Sequence, residues 1–175
     1  GDECLRKVAE HSAKMVEALN ASDKIEYEIV LKPTLISQAS IRQTLNDANN
    51  DPECAGVITW CHTFSPAKMW ILGLKEFKKP LCHLHTQFNE ELPYDTIDMD
   101  FMNENQSAHG DREYGHIVSR MGIEREIIVG HWANEKVQER IGSWMTTAIG
   151  VIESSHIRVC RFGDNMNNVA VTEGD

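Results

Sequence analysis

Gln106 and His109 stand three residues apart in a stretch whose pattern predicts a helix, so the two side chains fall on one face. An amide and an imidazole both donate and accept hydrogen bonds, which suits them to binding the hydroxyl groups of a polyol. Asp98 and Asp100 precede them in a long acidic loop and could form a catalytic pair, although short acidic runs in loops are usually just solvated. A long loop of this kind is itself typical of a functional site.

Two other segments offer polar groups at predicted strand ends. His83 and His85 alternate along a strand and therefore point to the same face, which would allow two metal ligands. No third ligand lies at a diagnostic spacing, so the favoured interpretation is that both rings satisfy buried polar groups. In the stretch 62–70 (HTFSPAKMW) a strand passes into a helix, whose free N–H groups suit an anion or hydroxyl. The favoured interpretation there is an ordinary cap at Ser65, with Phe64 as a packing residue.

Alternating helices and strands must position these groups. Apolar residues at three- and four-residue intervals predict helices over 2–20, 37–50, a segment that opens at 65–66, 106–121 and 134–153. Short apolar runs predict strands over 27–32, 55–62, 81–86, 125–131 and 156–162. This alternation predicts an α/β fold, a layered Rossmann-like or flavodoxin-like parallel sheet flanked by helices. In such sheets ligands bind at the carboxyl ends of the strands.

Both ends of the chain depart from a complete domain of this type. The chain opens at a helix with Gly1 and Asp2 as its predicted cap, whereas such a domain should begin with a strand. It stops after a strand-like run (VAVTEGD) with no element following. We therefore expect a piece of a longer chain whose first strand is missing.

Composition narrows the class of protein and of partner. Apolar residues make up 41% and charged residues 25%, which is typical of a globular protein, and no apolar run approaches the length of a spanning helix. A net charge of −10 without a dense Lys/Arg cluster argues against nucleic acids and membranes as partners. Five irregularly spaced cysteines without a CxxC pair exclude a zinc ribbon and favour the reducing cytoplasm.

Several long stretches resemble L-arabinose isomerases: 60–74 (WCHTFSPAKMWILGL), 79–117, 130–132 (GHW), 139–145 (ERIGSWM) and 159–175 (VCRFGDNMNNVAVTEGD). The similarity runs through the whole chain without a foreign insert. It implies a cytoplasmic enzyme of L-arabinose catabolism that converts L-arabinose to L-ribulose, and commonly D-galactose to D-tagatose. It also implies that residues 1–157 form its N-terminal α/β domain, truncated at the start, and that residues 158–175 begin the central domain.

The resemblance further implies which residues meet the sugar. It implies a homohexamer or related assembly with a divalent metal, usually Mn²⁺, held by glutamates and histidines downstream of this chain. No catalytic or metal-binding residue is therefore expected here, and the fragment alone should be inactive. Phe64, Met99, Gln106 and His109 are implied to reach into a neighbouring subunit's active site, and Met166 to line its own. Phe64, Met99 and Met166 would shape the pocket, while Gln106 and His109 would bind sugar hydroxyls.

Two other interpretations stay open beside the isomerase. The first is a non-catalytic sugar-binding module, because the predicted fold resembles one lobe of bacterial sugar-binding proteins. The second is a structural remnant without activity. The isomerase interpretation predicts two carboxylates and two histidines downstream in the full gene, whereas the binding module predicts sugar affinity without metal.

Overall fold

A three-stranded parallel sheet organises the protein, whose computed structural model describes residues 1–63 and 65–163. The strands are β1 (Val57–Thr59), β2 (Leu81–His85) and β3 (Glu126–Val129), and they lie side by side in that order. The register places Thr59 beside His83 and Cys82 beside Glu126. All three strands therefore end at the same edge of the sheet.

Helices surround this sheet in chain order. A short 3₁₀ turn (Ala67–Trp70) leads directly into the helix that begins at Ile71. The α-helices are α1 (Asp2–Asn20), α2 (Gln38–Asn50), α3 (Ile71–Glu76), α4 (Met99–Glu104), α5 (Ser107–Arg120) and α6 (Glu135–Ser154). In the described parts of the chain, no helix combines the length and the apolar character that crossing a lipid bilayer requires.

The two faces of the sheet carry separate apolar cores, because alternate residues of a strand point to opposite sides. On one face, Leu84 of β2 and Ile128 of β3 pack against α1 and α6. On the other face, Leu81 packs with α2, α3 and α5, where Tyr114 and Val118 are fully buried. The predicted layered α/β architecture with a parallel sheet is confirmed.

The predicted helices are also confirmed, except that the helix predicted to open at 65–66 begins later, after a 3₁₀ turn. Ser37 caps α2 by accepting a hydrogen bond from the Ser40 N–H at 3.1 Å, and Asn134 caps α6 in the same manner. The expected cap at Ser65 is wrong, since its hydroxyl donates to the Thr63 carbonyl instead. The chain there enters a 3₁₀ turn before α3 begins.

Two predicted strands are wrong in the described part of the chain. Residues 27–32 do not join the sheet, because the side-chain amide of Asn20 binds both the N–H and the carbonyl of Ile29, at 2.8 and 2.9 Å. Residues 156–162 form no strand either, and Val159 and Phe162 stay exposed. An apolar run becomes a strand only where a neighbouring strand accepts its hydrogen bonds.

Candidate functional site

A chain of buried hydrogen bonds links β1, β2 and α5 at the carboxyl edge of the sheet. His83, on β2, is fully buried between two partners. Its Nδ1 lies 2.7 Å from the Thr59 hydroxyl, and its Nε2 lies 2.7 Å from Oδ1 of Asp111. The Thr59 hydroxyl also hydrogen-bonds to the Tyr114 hydroxyl at 3.1 Å, and the Tyr114 ring stacks on the His83 ring. Two strands are thus joined to two successive turns of α5.

Cys61 and His85 border this hydrogen-bonded chain. Ligand atoms of Cys61, His83 and Asp111 lie within 4.8 Å of one another, and all three residues are buried. Burial, together with the nearby Asp111, raises the pKa of the Cys61 thiol to about 12. The His85 and His83 rings pack edge to face, with their centroids 4.5 Å apart. This contact confirms that the two histidines share one face of β2.

The chemistry of this cluster does not fit Mn²⁺. That cation prefers oxygen and imidazole ligands, whereas one of the three groups here is a thiol that burial keeps protonated. The other two, His83 and Asp111, are already hydrogen-bonded to each other at 2.7 Å. Thr59, His83, Asp111 and Tyr114 are therefore held in a hydrogen-bonded network that does not need a metal to satisfy them.

A groove of about 410 Å³ opens beside the network. Its walls come from the carboxyl ends of β2 and β3 and from the start of α5, and they include His85, Gln87, Ser107, Asp111, Arg112 and His131. The buried Nε2 of His85 has no hydrogen-bond partner in the described structure, and burial lowers the pKa of this ring. The lining surface of the groove is mostly apolar and carries a few imidazole, amide, hydroxyl and guanidinium groups, a composition typical of small-molecule sites.

The segment after β1 is held against α5. The Glu113 carboxylate accepts a hydrogen bond from the Ala67 N–H at 2.7 Å. Ala67 begins the 3₁₀ turn, so Glu113 binds a backbone N–H that a capping side chain would otherwise bind. Gly110 allows the close approach, since a Cβ there would lie 3.1 Å from the Cβ of Ser65 and 3.3 Å from that of Cys61. Cys61, Ser65 and Ala67 therefore pack closely against α5.

Helix α1 contributes a second aromatic and histidine contact at the same edge. The His11 ring stacks on Phe88 with centroids 3.7 Å apart, and His11 Nδ1 lies 3.1 Å from His62 Nε2. Burial, reinforced by the neighbouring His11, lowers the pKa of His62 to about 4. Lys7 adds an ion pair with Glu104 at 2.8 Å. These contacts connect α1 to the end of β1 and to the loop that contains α4.

The described part of the structure contains three of the five predicted sugar-contacting residues. Gln106 and His109 lie at the start of α5, and Met99 lies on α4. Gln106 is the half-buried N-cap of α5, and its carbonyl accepts a hydrogen bond from the His109 N–H at 3.3 Å. His109 is exposed, while Ser107 and Ala108, which separate the pair, line the groove. Met99 opens α4 with 64% of its surface exposed. Phe64 and Met166 lie outside the described residues.

Asp98 has a structural role instead of the catalytic one considered for it. Its carboxylate caps α4 by accepting the Phe101 N–H at 2.8 Å. The network around His83 could not be read from local spacing, because more than twenty residues separate Thr59 from His83 and His83 from Asp111. The available signal was indirect: in parallel strands, polar residues near the carboxyl ends meet at one edge.

Comparisons with known proteins agree on one enzyme family. The family model described as "L-arabinose isomerase N-terminal domain" matches residues 1–156. Over the whole 175 residues, the chain is 61% identical to the L-arabinose isomerase of Halalkalibacterium halodurans and 57% identical to that of Geobacillus thermodenitrificans. It is 56% identical to that of Bifidobacterium longum. The chain spans 35% of the length of each of these relatives.

Proposed function

The chain belongs to the L-arabinose isomerase family as its N-terminal domain, and we propose that the protein containing it interconverts L-arabinose and L-ribulose. The family match over residues 1–156 carries this proposal. A second substrate pair, D-galactose and D-tagatose, is part of it, since galactose differs from arabinose by one additional CH₂OH group. The role of this chain in the reaction is to bind and orient the sugar.

The wall of the sugar pocket is proposed to include Phe64, Met99, Gln106, His109 and Met166. Gln106 and His109 would hydrogen-bond sugar hydroxyls, and the place of Ser107 and Ala108, the two residues between them, in the groove wall supports that role. The exposed Met99 supports a contact with another part of the assembly, because a large apolar side chain gains stability from being covered. Phe64 and Met166 would supply further apolar surface.

The metal and the assembly complete the proposal. A divalent cation, Mn²⁺, would be held by residues outside this chain, in keeping with the poor fit of the Cys61, His83 and Asp111 cluster. A homohexamer or related assembly would bring the sugar-binding residues of this domain to a neighbouring subunit's centre. The enzyme would work in the cytoplasm, where five reduced cysteines are stable.

Product formation by the full-length protein tests this function. The protein is incubated with L-arabinose and Mn²⁺, and the sugars are separated and identified by NMR. L-ribulose formation that disappears on chelation and returns with Mn²⁺ is expected. No ketose from L-arabinose under any metal condition would overturn the isomerase proposal.

The groove at the carboxyl edge of the sheet also favours a second candidate, a sugar-binding module without catalysis. The two candidates differ in their need for metal. Calorimetric binding of L-arabinose by the full-length protein in the presence of a chelator, combined with the absence of any ketose product, would favour the module. Ketose formation would exclude it.

A further inference from the structure

Helix α5 carries two sets of polar residues with different surroundings. At its start lie the half-buried Gln106 and the exposed His109, the proposed sugar ligands. Its buried side carries Asp111, which is 4% exposed and directs Oδ1 to His83. Its other carboxylate oxygen lies 3.5 Å from His85 Nδ1, so both oxygens of Asp111 face β2. The buried side therefore fixes how the first turn of α5 sits against the sheet.

The same helix also fixes the chain on the other side of the proposed pocket. Glu113 binds the Ala67 N–H at 2.7 Å, and Ala67 is fully buried. Only two residues, Ser65 and Pro66, separate Phe64, a proposed pocket residue, from Ala67. Because Gly110 lets the backbones approach closely, a shift of α5 would be transmitted to this segment.

We propose that Asp111 and Glu113 are positioning residues for sugar binding. Asp111 holds the start of α5, and with it Gln106 and His109, against β2. Glu113 holds the segment that follows Phe64 against the same helix. The two proposed walls of the pocket are thereby kept in a fixed relation without either carboxylate binding the sugar. This inference rests on the proposed isomerase function.

Isosteric substitutions in the full-length protein test the inference. Asp111→Asn and Glu113→Gln keep the side-chain shape but remove the charge that strengthens each hydrogen bond. Misplacement of substrate-binding groups by about 1 Å can lower the reaction rate by up to about a hundredfold. We expect kcat/KM for L-arabinose to fall by about tenfold to a hundredfold in each variant through a higher KM, with Mn²⁺ affinity unchanged.

Glu76→Gln serves as the matched control. Glu76 accepts hydrogen bonds from Arg42 at 2.9 and 2.6 Å, and this pair joins α2 to α3. Its loss also weakens a carboxylate contact between elements, but away from the proposed pocket walls. A purely structural role reduces the fraction of folded enzyme, which lowers the apparent kcat and leaves KM unchanged. The control should show that pattern, whereas the two positioning variants should change KM.

The outcomes separate the two proposals. A wild-type protein that makes no L-ribulose overturns the isomerase function and, with it, the positioning role. An active wild type whose Asp111→Asn and Glu113→Gln variants keep the wild-type KM overturns the positioning role alone. If Asp111→Asn does not fold, Glu113→Gln decides the question, because Glu113 is only half-buried and its substitution leaves the His83 network intact.

Discussion

Thr59→Val removes one hydroxyl from the buried network while it keeps the shape of the side chain. The Thr59 Oγ1 lies 2.7 Å from His83 Nδ1 and 3.1 Å from the Tyr114 hydroxyl, and both partners are fully buried. Each buried polar group left without a partner costs about 1–3 kcal/mol, and the added methyl group returns about 0.8 kcal/mol. Two such groups together cost about 2–6 kcal/mol, so the free energy of opening of the β1, β2 and α5 region should fall by about 1–5 kcal/mol.

Hydrogen–deuterium exchange of the full-length protein measures this change locally. A loss of about 1–5 kcal/mol corresponds to exchange about 5-fold to 5,000-fold faster in a peptide covering β2. Thr59→Ser is the control, because it keeps the hydroxyl and loses a methyl group worth about 1 kcal/mol. Wild-type exchange rates in the valine variant would refute the reasoning, since the hydroxyl would then contribute nothing to stability.

A double-mutant cycle tests whether the hydroxyl groups of Thr59 and Tyr114 stabilise the network together. Tyr114→Phe removes the second hydroxyl, so adding it to Thr59→Val leaves only His83 without its contact. The two substitutions should be non-additive by about 0.5–3 kcal/mol, as is usual for residues in one hydrogen-bond network. Strict additivity would indicate that Thr59 and Tyr114 act independently.

Three other perturbations address the site and its support. In the full-length enzyme, His109→Ala should reduce kcat/KM for L-arabinose while Mn²⁺ affinity, measured by titration, stays unchanged; an equal loss of metal affinity would contradict the sugar-binding role. Gly110→Ala should destabilise by about 1–3 kcal/mol in thermal unfolding because its Cβ meets Ser65 at 3.1 Å. Gly115→Ala, where only the flexible end of a side chain lies at 3.3 Å, should not destabilise. Since burial lowers the pKa of His62 from 6.5 to about 4, the unfolded chain takes up the proton first. Stability should therefore fall as the pH decreases from 6.5 to about 4. Urea midpoints across this range should change less in His62→Gln, and equal slopes would contradict the assignment.

The long helices could be predicted because their signals are local. The pattern over 2–20 matches α1, and the pattern over 106–121 matches α5 together with its caps at Gln106 and Met121. An amphipathic helix satisfies its own backbone hydrogen bonds, so its sequence needs no knowledge of a distant partner. The bounds of such elements follow from spacing and capping residues alone.

Strands are less predictable from sequence because their hydrogen-bond partners are distant. Residues 27–32 and 81–86 both contain apolar runs of similar length, but only the second forms a strand, β2. The difference lies in the neighbours: β2 pairs on both sides, whereas Ile29 is bound by the side chain of Asn20. The pattern alone does not contain that competition.

The residues that hold the proposed site in place could not be predicted from the sequence for the same reason. Gln106 and His109 could be selected from the sequence because they are neighbours on one helix. Asp111 and Glu113 lie only a few residues farther along, but they read as ordinary charges of a helix surface until β2 and the 65–67 segment are placed beside them. Burying Asp111 costs free energy that its fixed contacts with His83 and His85 offset, so the carboxylate also penalises other positions of α5. A helix start that must present two hydrogen-bonding groups to a sugar needs that restriction, and an apolar residue in place of Asp111 would remove it even where the core remained well packed.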